Sequence, residues 1–418
     1  MPVTVFFIII GCLIFSSLMK WLLQPLFTVP AVFLHLLIGI TCSLLVKLNV
    51  APVVSTVLFN PATQQALSLL GWLGILLMMA LGTSVVEEKR SKFDHSWRKV
   101  VAVSMAGFGG TLLVATCVGY IISLYRPGLM GQLAQPLAFS IAIGLACAVT
   151  ALPVLVALLH ERNEHGSAIG KLAVRVAVLD DLWLWLVLIV LLGLIKMQVD
   201  PSIHILKVCG FVASALFLIK PALASLYKRF ANLNETNQLV FGLTLIVVVA
   251  TMSEFIGAHA LFGAFIAGWV MPAPVLKLLQ SSLLPVSHAL LVPFFFITTG
   301  MQTDLAFAHT DFLFLAAGFT VMGLGLKMLF VSLAARATGA SWLASCELGA
   351  LLQCKGLVEI VVLGLMRDAK IIGPEVFSAL IMMALLCTVL TIPLRSLVKM
   401  MVLNMGQRSV SFSIKLHK

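Results

Sequence analysis

The stretch VAVLDDLWLWLVLIVLL, residues 176–192, decides the fold class. Fifteen of its seventeen residues are apolar, and the other two are adjacent aspartates, Asp180 and Asp181. Such runs fill the chain. Of 418 residues, 61% are hydrophobic and 10% are charged, against about 45–50% and about 25% in a soluble domain. The apolar content suffices for roughly twelve or thirteen spans of about 20 residues. This excludes secreted, cytosolic and disordered classes. It also excludes a β-barrel, whose strands alternate and give no long unbroken apolar runs. The composition predicts an all-α polytopic membrane protein embedded in a lipid bilayer, with almost no domain outside it.

The formal net charge is +11. In a membrane chain an excess of Lys and Arg marks cytoplasmic loops, so no nucleic-acid partner is expected. The eight cysteines lie scattered through apolar stretches without a CxxC pair, which fits helix packing better than disulfides or metal binding. The N-terminus is apolar from Val3, with Lys20 as its first basic residue. It lacks the charged leader of a signal peptide and reads as a retained first helix.

Polar, Pro and Gly breaks divide the chain into about thirteen apolar segments. They fall near 3–23, 28–46, 63–85, 98–124, 135–159, 168–195, 203–226, 237–255, 257–272, 285–301, 312–335, 342–366 and 373–398. The ninth and tenth are short, so twelve is the alternative count. Basic residues follow the odd-numbered segments: EEKRSKFDHSWRK at 87–99, Arg162 and Lys171, Lys228 and Arg229, and the tail from Arg395. This predicts an outside N-terminus and a cytoplasmic C-terminus, with 399–418 as a short cytoplasmic tail.

Five charged residues sit near helix centres: Asp180, Asp181, Lys327, Lys355 and Glu359. A charge at the bilayer centre costs about 2.5–3.5 kcal/mol on insertion scales, so each is a candidate functional group. Adjacent helical residues point about 100° apart. One aspartate can therefore face a cavity while the other faces a neighbouring helix. A structural ion pair is the competing reading. Lys327, in GLGLKMLFVSL, is placed to pair with one of the aspartates, with snorkelling as its bland alternative. Lys355 and Glu359, in LLQCKGLVEIVVL, are spaced i, i+4 and can pair on one face. Packing glue is an equal reading for that pair.

Gly356 weakens the twelfth segment. Thr150 and Pro153, in AVTALPVL, interrupt the fifth. Pro153 removes a backbone donor and is expected to push residue 152 out of helical geometry. Broken helices leave free carbonyls and helix ends at midplane, as in secondary transporters. If segments 1–6 and 8–13 are repeats, the broken fifth maps onto the broken twelfth, and a shift of seven helices inverts one repeat in the membrane.

The residues then resemble a known group, the monovalent cation:proton antiporter superfamily, in the branch with Kef-type transporters and plant cation/H+ exchangers. LGWLGILLMMALGTSV (70–85) is similar to the family's segment before the first basic loop. TALPVLVALLHERN (150–163) resembles its TSxPVLxRILxE stretch, at the matching distance from VAVLDDLWLW (176–185). IGAHALFGAFIAGWVMP (256–272), VPFFFITTGMQTDL (292–305) and LLQCKGLVEIVVLGL (351–365) resemble three further signatures. An early Pro, Gly-Glu, Gly-Pro pattern is degraded: VPAVFLHLLIGITCSLL (29–45) has Leu34 and His35 in place of Gly-Glu. His35 reads as a packing residue.

The resemblance implies a thirteen-helix fold with inverted repeats, two discontinuous crossing helices and a homodimer. It implies dimer-domain helices in 1–97 and 237–311, core helices in 98–196 and 312–398, and a linker helix in 197–236. Asp181 would bind the cation and the proton in competition, with Asp180 and Thr150 beside it; Asp180 and Asp181 are thus the metal-ion ligands. Lys327 would compensate Asp180, and Lys355 would balance the partial charges of the broken ends near Gly356, with Glu359 as a further charge-compensating residue and Pro153 marking the other break. The expected function is antiport of Na+ or K+ against H+ by alternating access across a bacterial plasma membrane, electrogenic if two protons move per cation. No enzymatic activity is expected, and no cofactor beyond the transported ions. The alternative is an ion-coupled symporter of an organic solute. A gated channel and an intramembrane aspartyl protease are weaker rivals. The protease needs its aspartates on separate helices, one in GxGD, and no GxGD occurs.

Overall fold

The computed structural model describes residues 31–48, 60–82, 97–162, 164, 166–196, 201–229, 234–302 and 310–416, together with positions 10, 11, 14 and 18. Helices α1 (Ala31–Lys47), α2 (Pro61–Leu81), α3 (Trp97–Tyr125), α4 (Pro136–Ala148), α5 (Leu152–Glu161) and α6 (Ala168–Lys196) come first. Then follow α7 (Pro201–Arg229), α8 (Glu235–Phe255), α9 (Ala260–Val270), α10 (Ala273–Gln302), α11 (Thr310–Ala337), α12 (Trp342–Leu351), α13 (Leu357–Asp368) and α14 (Pro374–Leu416). Among the described residues seven helices are long and apolar enough to cross a membrane: α2, α3, α8, α10 and stretches of α7, α11 and α14. The chain is a nearly all-helical, multi-pass membrane protein.

Local signals in the sequence explain many helix starts. The Asn60 side chain accepts a hydrogen bond from Ala62 N–H at 3.0 Å, and Pro61 follows it at the first turn, where a missing donor costs nothing. Asn234 caps α8 through Asn237 N–H at 2.9 Å, and Ser341 caps α12 through Ala344 N–H at 3.2 Å. Three long helices carry one π-helical turn each: Met105–Gly109 in α3, Ala215–Ile219 in α7 and Ser287–Leu291 in α10.

Contacts divide the chain into two compact units. The first comprises Met1–Glu88 and Leu192–Leu305. Within it α1 and α10 touch backbone to backbone: a Cβ on Gly39 would lie 2.1 Å from the Ile297 carbonyl oxygen. Small residues permit such approach, which is how helices associate where lipid removes the hydrophobic driving force. Ser287, in the π turn of α10, donates to the Gly74 carbonyl of α2 at 3.0 Å. The second unit comprises Lys89–Leu191 and Ala306–Lys418. Here the loops after α3 and α13 are stitched together by Gly131 N–H to Ile371 O (3.0 Å) and Gly373 N–H to Leu129 O (3.1 Å).

The apolar segments from 28–46 onward fall on these helices, and the segment 3–23 lies outside the described residues but for four positions. Two readings need correction, the tenth segment and residue 152. The tenth segment, placed at 285–301, is the far half of α10, which begins at Ala273. Pro285 sits inside the helix, which runs through it into a π turn at Ser287–Leu291. The stretch 399–416, expected as part of a short tail, continues the helix α14. Leu152, expected outside helical geometry, is the first residue of α5. The chain breaks at 149–151 instead, and Pro153 lies in the first turn of α5, where no intrahelical acceptor waits for its missing N–H.

Candidate functional site

All the candidate residues belong to the second unit. Two interruptions face one another there, 149–151 between α4 and α5 and 352–356 between α12 and α13. Ala151 N–H donates to Cys354 O at 2.7 Å. The Thr150 hydroxyl lies 3.0 Å from Leu352 O. Each break thus satisfies part of the other's exposed backbone, as burial demands. Gly356 is required by close approach: a Cβ there would lie 2.6 Å from Val154 Cγ2. Thr388 of α14 holds the second break from behind. Its hydroxyl accepts from Lys355 N–H at 2.9 Å and donates to Lys355 O at 2.6 Å.

A helix that ends buried inside the protein leaves its last carbonyls without partners and its negative dipole end unscreened. In α4 the remedy is two lysines. Lys355 Nζ donates to the carbonyls of Ala146 (2.6 Å), Cys147 (3.2 Å) and Val149 (3.3 Å). Lys327 Nζ, from the middle of α11, donates to Ala148 O at 2.5 Å. Both side chains are 1% exposed. Lys355 also pairs with Glu359 at 3.4 Å. Glu359 lies in the first turn of α13, where a negative charge suits the dipole.

The two aspartates stand in different environments. Lys327 Nζ reaches Asp180 Oδ2 at 2.6 Å. The Ser104 hydroxyl donates to Asp180 Oδ1 at 2.7 Å, and Thr150 Oγ1 lies 3.1 Å from Oδ2. Both oxygens of Asp180 are therefore engaged. Asp181 is 5% exposed, and its Oδ1 is buried with no hydrogen-bond partner among the described residues. The same unit holds a buried apolar cluster that includes Val103, Leu155, Val176, Val331 and Leu351, together with Val178 and Leu179 just before the aspartates. Phe108 places its ring centroid 5.7 Å from Lys327 Nζ. No group of three His, Cys, Asp or Glu side chains gathers among the described residues. The arrangement is one held carboxylate beside one open carboxylate, with uncharged oxygens nearby. A single carboxylate with carbonyl and hydroxyl oxygens is hard-donor chemistry.

The fold puts the sequence-named Asp180, Asp181, Thr150, Lys327, Lys355, Glu359, Pro153 and Gly356 in this one unit, at or beside the two breaks. Sequence reading left other residues out. It missed Ser104 and Thr388, since hydroxyls are common in membrane helices and neither lies in a motif. The signal for Ser104 is structural: it immediately precedes the π turn of α3, and such turns recur at functional sites. A second charged group was also missed. Arg395 of α14 pairs with Glu164 and, at 3.2 Å, with Glu347, which is 5% exposed on α12. Arg395 reads in sequence as part of a basic tail, and the ion pairs that place it among acids are long-range.

The sequence profile of the family described as "Sodium/hydrogen exchanger, transmembrane" matches residues 1–398. Cation/H(+) antiporter 17 of Arabidopsis thaliana is 28% identical over 398 residues, 91% of this chain and 47% of that protein. The chain thus spans about half the length of the plant relatives it matches. Na(+)/H(+) antiporter NhaS4 of Synechocystis is 24% identical, over 89% of this chain and 92% of that protein. The solved sodium proton antiporter MjNhaP1 of Methanocaldococcus jannaschii has the same fold, with a TM-score of 0.62 at 16% identity over 94% of this chain and 96% of that one.

Proposed function

The chain belongs to the sodium/hydrogen exchanger family, and from that premise we propose that it exchanges Na+ or K+ for H+ by alternating access. One observation carries the reading. Asp181 is a buried carboxylate whose Oδ1 has no hydrogen-bond partner among the described residues, while its neighbour Asp180 is held by Lys327, Ser104 and Thr150. A carboxylate can hold a proton or a dehydrated cation, not both at once. Competition for Asp181 therefore couples the two fluxes. Oxygens near the helix breaks, Thr150 among them, complete the cation's shell, as unwound segments do in secondary transporters.

The lysines keep this site free of stray charge. Lys327 compensates Asp180, and Lys355 with Glu359 neutralises the broken ends of α4 and α13. When Asp180 and Lys327 separate to admit a cation, a second proton can be released, which makes exchange two H+ per cation and electrogenic. The unit carrying the site acts as the transporting core, and the other as the dimer-forming part of a homodimer. Thirteen helices in inverted repeats fit this scheme. So does a plasma-membrane location with the C-terminus cytoplasmic. The names of the relatives all specify cation/H+ exchange, and no observation favours an organic-solute symporter.

The test is a proteoliposome assay. Asp181→Asn should abolish the collapse of a pH gradient by Na+, K+ or Li+ while leaving the protein folded. Cation-driven proton flux in that variant at the wild-type rate would sink the assignment.

A further inference from the structure

The second unit also contains a groove that plays no part in the ion site. It lies between α3 and α11 and has a volume of about 870 Å³. Val118 and Ile122 line one wall; Phe314, Gly318 and Met322 line the other. All are apolar and spaced three or four residues apart, so they form one continuous stripe on each helix. At one end three charged side chains close the groove: Arg126, Asp311 and Glu375. Gly318, an exposed lining residue, leaves the slot open, since an added Cβ there would meet nothing within 4 Å.

Its dimensions and charges describe an occupant. From Asp311 to Met322 the helix rises about 16 Å, close to the thickness of one leaflet, about half of a 30 Å hydrocarbon core. An apolar slot of that length with polar groups at one end is the shape of a lipid site. The rim carries one positive and two negative side chains. Arg126 and Asp311 pair at 3.0 Å, but each is 60% exposed, and such pairs are weak enough to open for a ligand. The guanidinium offers paired donors to a phosphate. The two carboxylates would repel an anionic headgroup and accept hydrogen bonds from an ammonium. A quaternary ammonium has no N–H to donate, so a primary amine fits best.

We infer that this groove binds a zwitterionic phospholipid with a primary amine, of the phosphatidylethanolamine class. Arg126 takes the phosphate, Asp311 and Glu375 take the ammonium, and an acyl chain fills the slot over Gly318. This inference does not rest on the ion-exchange reading, and its test needs no transport.

The protein is released from nanodiscs holding equal amounts of phosphatidylethanolamine, phosphatidylcholine and phosphatidylglycerol, and retained lipid is identified by native mass spectrometry. Wild type should keep phosphatidylethanolamine about five-fold over either competitor, about 1 kcal/mol. Gly318→Leu should remove that preference by filling the slot. Asp311→Asn with Glu375→Gln should switch it to phosphatidylglycerol, because Arg126 alone favours an anion. Both acids are exposed, so this variant keeps the test informative if the glycine variant misfolds. Equal retention of the three lipids by wild type would overturn the inference. So would an unchanged preference in the acid variant.

Discussion

At the scale of single residues, the central contact is the ion pair of Lys327 and Asp180, 2.6 Å apart with both side chains 1% exposed. Taking one partner from a buried pair strands the other charge, which costs about 3–5 kcal/mol, whereas replacing both by apolar groups is often neutral. Lys327→Met alone should therefore lower the thermal unfolding temperature sharply, and Lys327→Met with Asp180→Leu should recover much of the loss. If the double variant melts no higher than the single one, the pair does not hold the fold in this way. The participants were legible as charges out of place, because solvation cost makes a midplane charge stand out against an apolar run. The residues alone leave open which aspartate the lysine chooses; the resemblance points to Asp180, and Lys327 pairs with it. Asp180 and Asp181 are chemically identical neighbours, and only the rotation of α6 against α3 and α11 separates them.

At the scale of elements, the two interrupted helices do the structural work. Pro153 and Gly356 marked them in the sequence, because one lacks a donor and the other lacks a side chain. The pairing of the breaks needed the fold: Ala151 and Cys354 meet across about 200 residues of chain. A methyl group at Gly356 would collide with Val154, a short β-branched side chain that cannot swing away. Overpacking of this kind costs about 1–3 kcal/mol. Gly356→Ala should lower the melting temperature, and adding Val154→Ala should cost less than the two single losses together. Strict additivity would mean the two residues do not press on each other. The same scale explains the misplaced start of α10. A proline inside a helix usually breaks or kinks it, so Pro285 reads as a boundary, yet here the helix runs through it.

At the scale of the whole molecule, the held and open carboxylates bear on charge transport. Two protons exchanged for one cation move one net positive charge per cycle. A cation-concentration jump on protein adsorbed to a solid-supported membrane should therefore give a transient current, absent in Asp181→Asn. Flux without any current would reject the two-proton stoichiometry and leave one-for-one exchange. The family profile spans residues 1–398, so this prediction concerns the membrane part that the chain shares with its relatives.

The amino-acid sequence by itself determined that this chain lives in a membrane as helices, where two of those helices break, and which five charges are out of place. It could do so because solvation and backbone hydrogen bonding act locally, residue by residue. Only the tertiary structure decided that Ser104 and Thr150 hold Asp180 along with Lys327 while Asp181 Oδ1 keeps no partner among the described residues, that Thr388 braces the second break, and that two lysines cap the carbonyls of α4. Those outcomes depend on contacts between residues as far as 209 positions apart, and the distances that decide them arise only when the helices pack.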